Sequence, residues 1–149
     1  MRIGFVSSGG GHLAHLLWLR PWWEAHDRVW VVPDAPEVRG ALTGESLRFA
    51  AFPTNRNLAN LARNAAHAPG LWASLRPDVV VSAGAGVAVP YLLAARLLGI
   101  PTVYLEGPDR LTHPSLTARL VHPFVDLLVL PDPSAAAALP RGRFLGGWW

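Results

Sequence analysis

Apolar positions along this chain switch repeatedly between runs that suit strands and spacings that suit helices. Arg2–Ser7 is a short β-like run, closed by Ser8-Gly9-Gly10-Gly11. His12–Trp23 reads as a helix, with Leu13, Leu16 and Leu17 on one face. Arg28–Val32 reads as a strand stopped by Pro33, and Leu47–Phe52 as a third strand stopped by Pro53. Asn57–Leu75 has helical spacing through Leu58, Leu61, Ala62 and Ala65, and Pro69-Gly70 is expected to break or kink it. Asp78–Ser82 is nearly all β-branched, the mark of a strand covered on both faces. After the small-residue loop Gly84-Ala85-Gly86, Pro90–Leu98 reads as a helix with Gly99 beyond its end. Pro101–Leu105 is a strand, Ser115–Val121 a short helix, and Asp126–Leu130 a strand ended by Pro131.

Strands alternating with helices predict an α/β, Rossmann-like, doubly wound parallel sheet. Ligands of such sheets bind at the carboxyl ends of the strands, near the point where strand order reverses. Three loops are therefore of interest: Ser8–His12, Ala83–Val87 and Glu106–Arg110.

Composition narrows the picture. The 149 residues fit one domain, 1–149. Hydrophobic residues make up 51% and charged residues 15%, against about 25% charged in an average soluble protein. The apolar excess must enter a core, a partner interface or a membrane surface. No apolar run reaches the roughly 18 residues of a membrane-spanning helix. Met1 leads straight into a strand with no signal-peptide layout, so a cytoplasmic location is expected. The chain has no cysteine, which excludes disulfide and thiol chemistry. Every basic residue is arginine, and these are scattered, so nucleic acid is not an expected partner. The planar arginine fork does suit phosphate and diphosphate groups.

Four constellations could carry chemistry. The glycines of Ser8-Gly9-Gly10-Gly11 either cradle an anion at the start of the following helix or simply make a tight turn. The loop matches neither a P-loop nor G-x-G-x-x-G. His12, directly after it, is a candidate general base, or a histidine that caps or packs. Small residues at Gly84, Ala85 and Gly86 permit close approach by a ligand or by neighbouring backbone. Glu106 follows a buried strand, where a carboxylate is costly unless it faces a cleft or a partner. Arg110 either meets a phosphate or pairs with Glu106 or Asp109. His15, Trp18 and Trp22 form a second stripe on the first helix, beside Trp23. The helix tryptophans suit a membrane or partner contact, or burial between layers, and the terminal Trp148 and Trp149 suit a docking tail or a further membrane contact.

Taken in order, Ser8-Gly9-Gly10-Gly11-His12, Arg76-Pro77-Asp78-Val79-Val80-Val81-Ser82-Ala83-Gly84-Ala85-Gly86, Pro90, Gly99-Ile100-Pro101 and Tyr104-Leu105-Glu106 resemble the asparagine-linked glycosylation 14-like family. Further matches are Pro114-Ser115-Leu116-Thr117, Pro123-Phe124-Val125-Asp126 and the closing segment Gly142–Trp149. The resemblance implies the N-terminal half of a MurG-type, GT-B glycosyltransferase whose donor-binding half is a separate polypeptide. It implies sugar transfer from a UDP-sugar to a polyprenyl-diphosphate-linked saccharide, in exopolysaccharide or lipid-linked oligosaccharide synthesis. The place implied is the cytoplasmic face of the plasma membrane. Eukaryotic members carry an N-terminal anchor; here attachment is expected to be peripheral, through Trp18, Trp22 and Trp23. The related single-chain enzymes turn their Gly-rich loop and histidine towards the interdomain cleft. That carries over to Gly9, Gly10, Gly11 and His12, with a similar case for Gly84, Gly86 and Glu106.

The leading expectation is a subunit inactive alone, holding the acceptor diphosphate with its Gly-rich loop, assisted by Arg110 or Arg56. His12 or Glu106 would deprotonate the attacking hydroxyl. No metal and no cofactor are expected, since GT-B chemistry relies on helix dipoles and backbone donors. Two alternatives stay open: a recruiter that contributes no chemical group, and an unrelated nucleotide-binding Rossmann module.

Overall fold

Six parallel strands form one sheet in the order β3-β2-β1-β4-β5-β6 in a computed structural model of the chain, which describes residues 1–111 and 113–147. The strands are β1 (Arg2–Val6), β2 (Asp27–Val32), β3 (Ser46–Phe49), β4 (Val79–Ser82), β5 (Thr102–Leu105) and β6 (Leu127–Val129). Strand order reverses between β1 and β4, which places a crevice at their carboxyl ends. The doubly wound sheet expected from the sequence is thus present.

Two apolar layers cover the sheet. On one face, α4 (Leu58–Leu75), α5 (Ala88–Leu97) and α6 (Leu116–Val121) pack through Trp72, Tyr91, Leu92 and Val121 onto Val6, Val31, Val80 and Leu128. Gly4 on β1 makes this possible: a Cβ there would stand 3.0 Å from the ring of Trp72. On the other face, α1 (Gly11–Trp18), α2 (Arg20–Trp23) and α3 (Pro36–Ala41) bury Leu13, Leu16, Trp23 and Val38 against Ile3, Phe5 and Trp30.

Several elements differ from expectation. The first helix is two, because Pro21 has no N–H to continue the ladder; α1 ends at Trp18 and α2 restarts at Arg20. Pro69, by contrast, does not break α4, which runs unbroken for 18 residues. Pro69 and Ala65 both lie exposed, so the carbonyl deprived of its N–H partner can be hydrated. Arg76 closes this helix in the left-handed conformation. Strand β3 stops at Phe49, short of Phe52, because Ala51 gives its backbone bonds to a side chain of α4 rather than to the sheet. Helix α3 and the short 3-10 turn Pro133–Ala137 escape sequence reading altogether. Pro36 at the start of α3 and Glu37 in its first turn were the available signals.

Candidate active site

The loops after β1, β4 and β5 converge on a cleft of about 640 Å³ at the carboxyl edge of the sheet. Gly10, with φ +65°, turns the chain out of β1 and lets α1 begin at Gly11. No side chain caps α1. Its first amides have no intrahelical acceptors, so they are donors available to an anion. Ser8, Gly11 and His12 line the cleft; Gly9 and Gly10 do not, Gly9 packing towards Val38 and Gly10 lying exposed.

His12 is held from two sides. Its Nδ1 lies 3.1 Å from Ser8 Oγ, and the ring packs over Gly84. Burial pushes its pKa below the usual histidine value. His15 adds to that effect, while Asp109 opposes it. The ring is therefore neutral near pH 7, the state a proton acceptor requires. Ser8 Oγ is also 3.2 Å from the Gly9 carbonyl. If the single hydroxyl hydrogen serves that carbonyl, His12 Nδ1–H donates to Ser8 and Nε2 keeps its lone pair.

Glu106 is 1% exposed and also lines the cleft. Its carboxylate accepts from the Ser115 N–H at 2.8 Å and from Ser115 Oγ at 3.0 Å. Ser115 Oγ in turn accepts from the Ala118 N–H at 3.0 Å, capping α6, and stands 3.3 Å from the Tyr104 hydroxyl. Burial raises the Glu106 pKa, and the Ser115 hydrogen bonds pull against that rise. The carboxylate is thus satisfied from below by one serine and turned towards the cleft above.

The remaining candidates distribute as follows. Ala85 and Gly86 line the cleft, whereas Gly84 is buried and serves to seat His12. Ala85 takes φ +67°, a strained value for a residue with a Cβ. Arg110 lines the cleft and pairs with Asp109 at 3.1 Å, both well exposed, rather than with Glu106. Arg56 is exposed and does not itself line the cleft, although its neighbour Asn55 does. Sequence reading missed His15, Tyr104, Ser115, Thr117 and the segment Phe52–Asn55, all of which line the cleft.

The tryptophans divide. Trp18 and Trp22 are about half exposed, at 50% and 47%. Trp23 is 1% exposed, which removes it from the set of membrane or partner contacts. The break at Pro21 turns it inward: its Nε1 donates to the Leu16 carbonyl at 2.8 Å, and it packs edge-on against Phe5 and Trp30. Trp22 and Leu19 border an apolar groove of about 370 Å³ over Val81, Val103, Leu105, Leu127 and Val129. Trp148 and Trp149 lie outside the described residues. Among the described residues, no helix is long and apolar enough to cross a membrane.

Against known proteins, the architecture finds clear counterparts. The chain superposes on MurG of Acinetobacter baumannii with a TM-score of 0.75 at 18% identity, over 89% of this chain and 42% of that one. The fold is that of one half of a GT-B enzyme. A UDP-N-acetylglucosamine 2-epimerase of Rickettsia bellii matches with a TM-score of 0.78 at 12% identity, over 99% of this chain and 45% of the other. In sequence, 91 residues are 38% identical to a UDP-N-acetylglucosamine--N-acetylmuramyl-(pentapeptide) pyrophosphoryl-undecaprenol N-acetylglucosamine transferase of Roseiflexus sp. (strain RS-1). That match covers 61% of this chain and 19% of the relative. The chain thus spans less than half of these GT-B structures, and the aligned segment about a fifth of the transferase. No protein-family model matches it.

Proposed function

We propose that this chain is the acceptor-side half of a two-chain glycosyltransferase, as in the asparagine-linked glycosylation 14-like family. It presents a polyprenyl-diphosphate-linked saccharide to a UDP-sugar held by a separate donor-binding subunit. One observation carries the reading: the cleft gathers an uncapped helix start, a neutral histidine and a buried carboxylate at the switch point. Similarity to MurG and to the Roseiflexus transferase supports the chemistry assigned to it.

In this reading the acceptor diphosphate lies at the start of α1, with Arg110 as a movable counter-charge. The acceptor hydroxyl attacks the anomeric carbon of the donor sugar, the bond to UDP breaks, and UDP departs with the bonding pair. His12 Nε2 takes the hydroxyl proton. Glu106, fixed by Ser115, stabilises the positive charge that grows on the histidine side of the cleft, or accepts the proton itself. Trp18 and Trp22 provide the peripheral contact with the membrane or the donor-binding subunit.

The test is reconstitution. The chain alone should give no transfer from a UDP-sugar to a lipid-diphosphate-linked sugar, and adding the donor-binding subunit should restore it. Full turnover by the purified chain would refute the split-enzyme reading.

A further inference from the structure

The segment after β3 travels furthest to reach the cleft, and the protein commits buried polar residues to holding it there. Asn60 and Asn64 sit one turn apart on α4, 6% and 1% exposed. Asn64 Oδ1 accepts from the Ala51 N–H at 2.8 Å, and its Nδ2 donates to the Ala51 carbonyl at 3.0 Å. Asn60 Nδ2 donates to the Pro53 carbonyl at 2.9 Å. Burying an amide side chain is unfavourable unless its hydrogen bonds are met. Here they are met by backbone on either side of Phe52, which fixes the chain on both sides of that ring.

Past these clamps the segment crosses from the β3 edge of the sheet to the β4 loop. The Thr54 carbonyl would stand 3.2 Å from a Cβ placed on Gly86, so the two loops meet where glycine leaves room. Phe52, Pro53, Thr54 and Asn55 line the cleft along with Glu106 from β5. Among the described residues, none hydrogen-bonds the side chain of Thr54 or Asn55. A wall anchored on either side of Phe52, offering apolar ring surface beside a free hydroxyl and a free amide, suits a pyranose, whose C–H face is apolar and whose edge carries hydroxyls.

We propose that Phe52–Asn55 is the wall that reads the saccharide of the acceptor, with Thr54 and Asn55 as its specificity-determining side chains. This rests on the acceptor-side reading of the cleft. Phe52 and Pro53 cover one face of the first sugar; Thr54 and Asn55 bond its hydroxyls. The diphosphate is held elsewhere, at the start of α1. Contributions from lipid-diphosphate and from sugar are therefore separable.

The experiment titrates the full chain with farnesyl diphosphate and with farnesyl diphosphate carrying glucose, galactose or N-acetylglucosamine. Wild type should bind farnesyl diphosphate, and at least one sugar-bearing form more tightly. In Thr54→Ala/Asn55→Ala the sugar-dependent gain should shrink by about fivefold or more, the loss of one or two hydrogen bonds. Farnesyl diphosphate itself should bind the variant within about twofold of wild type, as a surface change away from its site predicts. An unchanged sugar-dependent gain in the variant would overturn the wall and leave the acceptor reading standing. So would a wild type that binds all four ligands equally. Failure of wild type to bind any of them would refute the acceptor reading and the wall with it.

Discussion

Gly84 and His12 are fitted to each other: a Cβ at position 84 would stand 2.8 Å from His12 Nε2, and Gly84 holds φ +134°, a value L side chains rarely adopt. The β4 loop thus keeps a glycine so that an imidazole from the β1 loop can lie against it. Gly84→Ala should displace the ring and cost about 1–3 kcal/mol through overpacking and backbone strain. Gly40→Ala, in α3 with open space around it, should be neutral or gain about 0.5–1 kcal/mol. Urea denaturation of both variants checks the contrast.

The two histidines are coupled. His15 lies 6.5 Å from His12, ring centre to ring centre, and adds to the burial that lowers the His12 pKa. His15→Gln should therefore raise the His12 pKa, while burial still holds it below the ordinary 6.5. NMR titration of the His12 ring reads the shift. In reconstituted transferase, the acidic limb of the rate profile should move to higher pH with it, provided His12 is the base. Stability follows the same sign. With its folded pKa depressed, His12 contributes fully above pH 6.5 and progressively less as pH falls through the folded value.

Neighbouring tryptophans should behave oppositely. Trp23→Ala removes a fully buried ring and the bond to the Leu16 carbonyl, and should cost about 3–5 kcal/mol. Trp22→Ala, half exposed, should change the stability of the isolated chain by within about 0.5 kcal/mol. If its exposed ring meets a membrane or the donor-binding subunit, the same variant should weaken vesicle or subunit binding.

Sequence pattern made the sheet legible because β1, β2 and β4 are short apolar runs closed by glycine or proline, and helices fill the gaps. The order of strands then put Ser8–His12, Ala83–Val87 and Glu106–Arg110 on one edge, as the doubly wound rule requires. What failed was placement that depends on distant residues. Trp22 and Trp23 look alike in sequence; Pro21 resets the helix and decides which one turns inward. Phe52–Asn55 belongs to the cleft only because Asn60 and Asn64, some ten residues on, hold it there. The serine that fixes Glu106 is nine residues away and reads simply as a helix cap.

That serine yields a further expectation. Ser115→Ala removes the cap of α6 and one donor to Glu106, leaving the backbone N–H bond. A cost of about 0.5–2 kcal/mol follows from the cap alone. Because the lost bond favoured the charged carboxylate, the Glu106 pKa should rise further. Carboxyl-selective infrared titration of the variant against wild type reads the direction.

The most direct measurement is sugar transfer by the proposed two-subunit enzyme, reconstituted with this chain carrying His12→Ala together with Glu106→Gln, with assembly confirmed on the same sample. A cleft that supplies chemical groups predicts that turnover falls by about 10²-fold or more while the subunits still associate. Wild-type turnover by that double variant would show that all the reacting groups belong to the partner, and that this chain does no more than bring it into place.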